Sequence, residues 1–108
     1  MDSTAIRASP IVKLRKIARR LRISGRVQGV GFRAALCAVA EARGLSGWVR
    51  NRIDGDVEAE VHGAVEDVEA LILWSQQGPP AAHVAAVLVE VADVTQPALA
   101  GFSQRPTA

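Results

Sequence analysis

The stretch Ser24 to Arg33, SGRVQGVGFR, places three glycines within seven positions and closes on an arginine. Glycine opens backbone conformations closed to other residues and lets main-chain amides approach a ligand closely. Where such a loop leaves a strand and enters a helix, successive N–H groups converge above the helix N-terminus, whose dipole also favours negative charge. That combination is an anion site. Arg33, at the start of the helix, sets a forked cation over the same spot, and a guanidinium can pair with two oxygens of one phosphate. A phosphate group is the expected guest.

Commoner chemistries fit less well. Gly29, Gly31 and Ala34 satisfy the G-x-G-x-x-A pattern of dinucleotide folds, with Asp54 about twenty residues further on. The next strand, however, leads into a tight hairpin rather than another crossover helix, and 108 residues are too few for a doubly wound sheet. No Gly-Lys-Ser or Gly-Lys-Thr occurs, which removes the P-loop. Cys37 lies in an Ala-rich helix with no base indicated beside it, and reads as a packing side chain rather than a nucleophile. His62 and His83, the two histidines, have no Cys or second His at ligand spacing, so neither a metal nor another cofactor is expected.

These residues need elements to hold them. Leu21, Ile23 and Val27 alternate with Arg22, Ser24 and Arg26, the period of two of a strand with one buried face, beginning near Arg19. Phe32, Leu36, Val39 and Ala40 then gather on one face of a helix over roughly Arg33 to Arg43, which Gly44 can close. Gly47 to Arg52 reads as a second strand, Asp54-Gly55 as a two-residue turn with positive φ at both positions, and Val57, Ala59 and Val61 as the apolar face of the returning strand. Its other face carries Asp56, Glu58, Glu60 and His62 and is expected to lie in water. Val65, Val68, Leu71 and Ile72 mark a second helix that starts on acidic residues and stops at Gly78-Pro79-Pro80. Val87, Val89 and Val91 make a fourth strand, and Gly101 to Ser103 a short edge strand before Pro106 ends pairing. The predicted fold class is α+β, a ferredoxin-like split βαβ (βαββαβ) sandwich in which two helices cover one face of an antiparallel sheet.

Composition narrows the setting. A chain of 108 residues, 49% hydrophobic, buries one core. Its 4% aromatic content, without tyrosine, argues against a large aromatic binding surface. The single cysteine forms no internal disulfide, no apolar run is long enough for a membrane span, and the first twenty residues hold no secretory apolar core, all pointing to the cytoplasm. Residues 1–22 carry seven basic side chains against Asp2, a net +6, and the remainder −4. Residues 1–18 are therefore expected to be a basic, flexible extension and 19–108 the folded domain.

On its own the glycine loop could serve only a tight strand-to-helix connection, and Asn51 beside a hairpin could be an ordinary turn residue. The two motifs together are more specific. GRVQGVGFR followed by GWVRN at Gly47 to Asn51 resembles the signature pair of the acylphosphatase family, and the similarity continues through DGDVEAEVHG and GPPAAHV, over about Arg19 to Val91. The resemblance implies hydrolysis of acyl phosphates, with Arg33 and the backbone amides of Gln28, Gly29, Val30, Gly31 and Phe32 holding the substrate phosphate and Asn51 orienting the attacking water. Inorganic phosphate or sulfate is then the natural anion ligand, and a monomer the simplest state. Trp48, inside the second motif, could support the site from behind. The C-terminal GFSQRPTA keeps only Phe102 and Arg105 of the family pattern, a departure expected to touch the edge strand rather than the site. The competing reading is a ferredoxin-like nucleic-acid-binding or regulatory module using the basic arm, against which stands the acidic sheet face, which would repel a phosphate backbone.

Overall fold

The computed structural model describes residues 15–94 and 101–108, so most of the basic extension lies outside the described residues. In chain order the elements are β1 (Lys16–Arg26), α1 (Phe32–Ala42), β2 (Ser46–Asn51), β3 (Val57–Ala64), α2 (Val65–Ser75), β4 (His83–Val91) and β5 (Phe102–Gln104). Both helices pack on one face of a five-stranded sheet of order β4-β1-β3-β2-β5. This is the split βαβ arrangement expected from the hydrophobic periods.

β1 begins at Lys16, three residues before the expected boundary, because Ile17 and Ala18 are themselves buried. It is an interior strand, pairing antiparallel with β3 (Leu21 opposite Ala59) and with β4 (Leu21 opposite Val89). Leu21, Ile23, Val49, Val57, Ala59 and Val61 project from the sheet onto Phe32, Leu36 and Ala40 of α1 and Val68 and Leu71 of α2, and all are essentially inaccessible to water. Burial of this apolar layer, at about 25 cal/mol per Å2, is the main stabilising term. Phe32 and Trp74 meet with ring centroids 5.5 Å apart and tie the two helices together.

The sheet is mixed rather than wholly antiparallel. β4 ends level with the start of β2, since Val91 faces Arg19 while Ser46 faces His62. The next strand, laid on the far edge, must therefore run in the direction of β2, and β5 pairs parallel to it with Gly47 opposite Phe102. The hairpin between β2 and β3 also differs from expectation. Gly55 N–H donates to Arg52 O (3.1 Å) and Arg52 N–H to Asp56 O (2.7 Å), which makes a three-residue loop. Gly55 alone takes a positive φ, 102°, and Asp54 does not. Such a loop is a type I turn closed by one left-handed residue, a geometry that needs glycine only at its last position.

The acidic face of β3 is not open to water. Glu58 and Glu60 are 7% and 9% exposed. Arg20 donates to both, Arg50 and Arg52 donate to Glu58, and Arg22 reaches Asp54 and Asp56. Arg20 and Arg22 of the basic segment thus meet acidic residues from the rest of the chain across the sheet. Burial pushes the Glu58 and Glu60 carboxyls up, but the bonds and charges of Arg50 on Glu58, and of Arg20 and His62 on Glu60, outweigh it and hold both below the ordinary glutamate value. A neutralised lattice does not repel a phosphate backbone in the way a bare acidic face would. Trp48, 4% exposed, belongs to this lattice rather than to the back of the anion loop: the guanidinium carbons of Arg20, Arg50 and Arg105 stand 5.1, 4.9 and 4.7 Å from its ring centroid.

Candidate active site

β1 delivers the chain to the loop, and α1 takes it away. Gly29 and Gly31 hold φ of 73° and 80°, and a Cβ placed on either would meet nothing within 4 Å. Their glycines answer to conformation, not crowding, and they turn the chain sharply while leaving the space above it clear. Gly25 has a different purpose. It sits inside β1 at a register shift against β4, where a Cβ would fall 2.3 Å from His83 O and 2.6 Å from Ala85 N. It permits close backbone approach and belongs to the sheet.

Gly31 is the N-cap of α1 in a left-handed conformation, with no side-chain cap and no acidic residue in the first turn. α2, by contrast, carries Glu66 and Asp67 there. The positive end of the α1 dipole is therefore not offset by an acidic side chain of its own first turn. Arg33, half-buried, makes no ion pair or side-chain hydrogen bond among the described residues.

Asn51 reaches the same place from the sheet. Residues alternate along β2, so Val49 lies in the core and Asn51, two further on, faces the same side at the core's rim, beside the start of α1. Its Oδ1 is buried without a hydrogen-bond partner among the described protein atoms. Buried polar atoms are normally satisfied, so an oxygen without a partner at a cavity wall is open to a water or ligand group there.

One cavity of about 140 Å3 gathers Val27, Gln28, Gly29, Gly31, Phe32, Arg33, Ala34, Asn51 and Gln104. It is well below the roughly 300–1,000 Å3 of a site for a drug-sized ligand or cofactor, and suits a tetrahedral anion with a small neighbour. Of the residues singled out in the sequence, Arg33, Asn51, Gln28, Gly29, Gly31 and Phe32 line it. Val30 does not and packs its side chain against the core. Gln104 escaped the sequence reading because it comes from β5, which reaches the cavity only through parallel pairing with β2. A larger cleft of about 240 Å3, around Lys16, Ser46, His62 and Val94, contains none of the motif residues.

Gln28 has a second function visible only in three dimensions. Its Nε2 donates to Arg52 O (2.8 Å) and Asp56 O (2.9 Å), the two carbonyls at the neck of the β2–β3 turn. The loop that ends in Arg33 is thereby tied to the strand end that carries Asn51. Cys37, one turn along α1 from Arg33, has its thiol pushed up by burial and by the charge of Glu41, against a smaller opposing effect of Arg33. Protonated and half-buried, it offers no nucleophile.

A ferredoxin-like α+β sandwich brings a glycine loop, Arg33 and Asn51 around one small cavity of a size to admit a phosphate group, and Arg33 and the Asn51 Oδ1 are without side-chain partners among the described residues. The acylphosphatase family profile matches residues 19–104. The acylphosphatase of Cupriavidus necator is 52% identical over 94 residues, covering 87% of this chain and 99% of its own. Among solved structures, acylphosphatases from Bacillus subtilis (32% identity, TM-score 0.78, 82% of this chain and 98% of that one) and Coxiella burnetii (35%, 0.73, 83% and 93%) superpose closely. The chain belongs to the acylphosphatase family and is an enzyme that hydrolyses acyl phosphates. No helix among the described residues is long and apolar enough to cross a membrane.

Proposed function

We propose that hydrolysis occurs in the Arg33–Asn51 cavity by direct attack of water on phosphorus. The observation that carries this reading is the pairing, in one small space, of an arginine and a buried asparagine oxygen that both lack a side-chain partner among the described residues. Arg33 pairs with two phosphoryl oxygens while the amides of residues 28 to 32 and the α1 dipole take up charge on the third. The water oxygen forms its bond to phosphorus as the bond from phosphorus to the acyl oxygen breaks, and the electron pair leaves as carboxylate. The proton lost by the water departs with the products.

So sparse a site suffices because a carboxylate is a good leaving group. The barrier falls when the phosphoryl group is neutralised and oriented and one water is aimed in line, without covalent chemistry by the protein. Asn51 takes no proton at neutral pH. Its Oδ1 accepts from the water and its amide fixes the water's direction. Inorganic phosphate, as product, competes for the same cavity. A reducing compartment such as the cytoplasm fits a chain with one free cysteine.

The test is hydrolysis of benzoyl phosphate in the presence of a chelator by wild type, Arg33→Ala and Arg33→Lys, with circular dichroism to confirm folding. Wild type turns over, Arg33→Ala loses about 10²-fold or more in kcat/KM, and Arg33→Lys recovers little, since a point charge does not replace a two-pronged donor. Full activity of folded Arg33→Ala would refute the site.

A further inference from the structure

We propose that the C-terminal segment Arg105–Ala108 is a positioning element of the site: it completes the sheet around Asn51 and so sets where the catalytic amide stands. This rests on the reading of Asn51 as the residue that orients water.

Asn51 is the last residue of β2 and pairs on one side with Val57 of β3. On its other side β5 stops short, its final residue Gln104 standing opposite Val49. Without more, the strand end bearing Asn51 would be a free sheet edge, where hydrogen bonds open most readily. The segment after β5 prevents this. Arg105 N–H donates to Val49 O (2.8 Å), Ala108 N–H donates to Asn51 O (3.1 Å), and Ile53 N–H donates to Ala108 O (3.0 Å). The last two bonds place Ala108 alongside Arg52 and bracket Asn51 and its successors as a sixth pairing partner would. Parallel pairing therefore resumes beyond Pro106, which, lacking an N–H, occupies the stretch where the segment spends one residue more than β2. Pairing does not end at the proline, and the departure from the family pattern at these residues bears on the site after all.

The consequence follows from the orphaned Oδ1. Among the described residues nothing bonds to that oxygen of Asn51, so its position is inherited from its backbone. A displacement of about 1 Å in a group that orients a reactant costs on the order of 10²-fold in rate. Phosphate binding, by contrast, depends on the loop and Arg33, which this segment's backbone bonds do not touch.

The experiment compares wild type, Ala108→Pro, Ala108→Gly, a variant lacking residues 106–108, Asn51→Ala, and Asn51→Ala combined with Ala108→Pro. Benzoyl phosphate kcat, the inhibition constant of inorganic phosphate and the thermal midpoint are read for each. Ala108→Pro removes the donor to Asn51 and should lower kcat about tenfold or more, as should the deletion, with the phosphate inhibition constant within about twofold of wild type. Ala108→Gly keeps the N–H and keeps the activity. In the Asn51→Ala background the proline should lower kcat no further, because both act through one amide. An unchanged kcat in Ala108→Pro and in the deletion, or an equal fold-loss with and without Asn51, would overturn the proposal. If Asn51→Ala alone is fully active, the reading of Asn51 fails and this proposal with it; if Asn51→Ala is inactive but the two segment variants are not, only the positioning role fails.

Discussion

Replacing Asn51 with alanine should remove turnover while leaving the fold at least as stable as wild type. The reason is the state of its Oδ1, buried with no hydrogen-bond partner among the described residues. A polar atom in that condition costs about 1–3 kcal/mol in folding free energy. Alanine deletes the atom and keeps the backbone bonds to β3 and to Ala108. The side chain is only half-buried, so little packing is lost in exchange. The net expectation is a stability between unchanged and about 1 kcal/mol higher, or a rise in Tm of up to about 4–8 °C for a domain of this size. An average substitution instead destabilises by about 1 kcal/mol. Loss of the amide proposed to orient the water should lower kcat by about 10²-fold or more. Thermal denaturation followed by circular dichroism and benzoyl phosphate hydrolysis on the same preparations give both numbers. A fall in Tm of more than about 5 °C accompanying the lost activity would show that Asn51 holds the structure together, and the argument from an orphaned oxygen would be wrong.

Three further outcomes follow from the same geometry. Gly25→Ala should lower Tm by more than about 10 °C, since positive φ adds strain and the new Cβ meets His83 O at 2.3 Å; a folded variant of wild-type Tm would contradict the close approach of β4. Gln28→Met, similar in length but without the amide donor, should loosen the loop from the β2–β3 turn and lower kcat about tenfold; an unaltered kcat would show that the two bonds at Arg52 and Asp56 do not set the site. Glu58 and Glu60 are held below their ordinary pKa, so the stability they contribute is complete above about pH 5 and is lost as the pH falls below about 4. Glu58→Gln should therefore be less stable than wild type at pH 7, with the gap closing in denaturant titrations toward pH 3; a gap that does not depend on pH would place its cause outside ionisation.

The split βαβ order was legible because each element buries one face and shows its own period, from Leu21 and Ile23 in β1 to Phe32 and Leu36 in α1. The loop glycines and Arg33 were legible as candidates because the anion cradle proposed here is built from consecutive residues. What misled was the strand face of Glu58 and Glu60. Alternation tells which residues share a face, but not what lies opposite, and Arg20 and Arg50 arrive from different strands. The three-residue turn was hidden for a related reason. Asp54-Gly55 suits more than one loop length, and the pairing of Arg52 with Asp56 selects among them.

By itself the sequence determined family membership, carried by the two motifs, and the residues proposed to meet the ligand: a glycine loop, a forked cation at a helix start, and an asparagine on the adjoining strand. Tertiary structure alone decided the rest. It separated Gly25, which admits β4, from Gly29 and Gly31, which shape the loop; it brought Gln104 to the cavity wall and Ala108 to the backbone of Asn51; and it turned Gln28 from one more loop residue into a tie to the neighbouring turn. Each is a contact between residues far apart in the chain, and local propensity and periodicity carry no information about which distant backbone groups a strand edge or an amide will find.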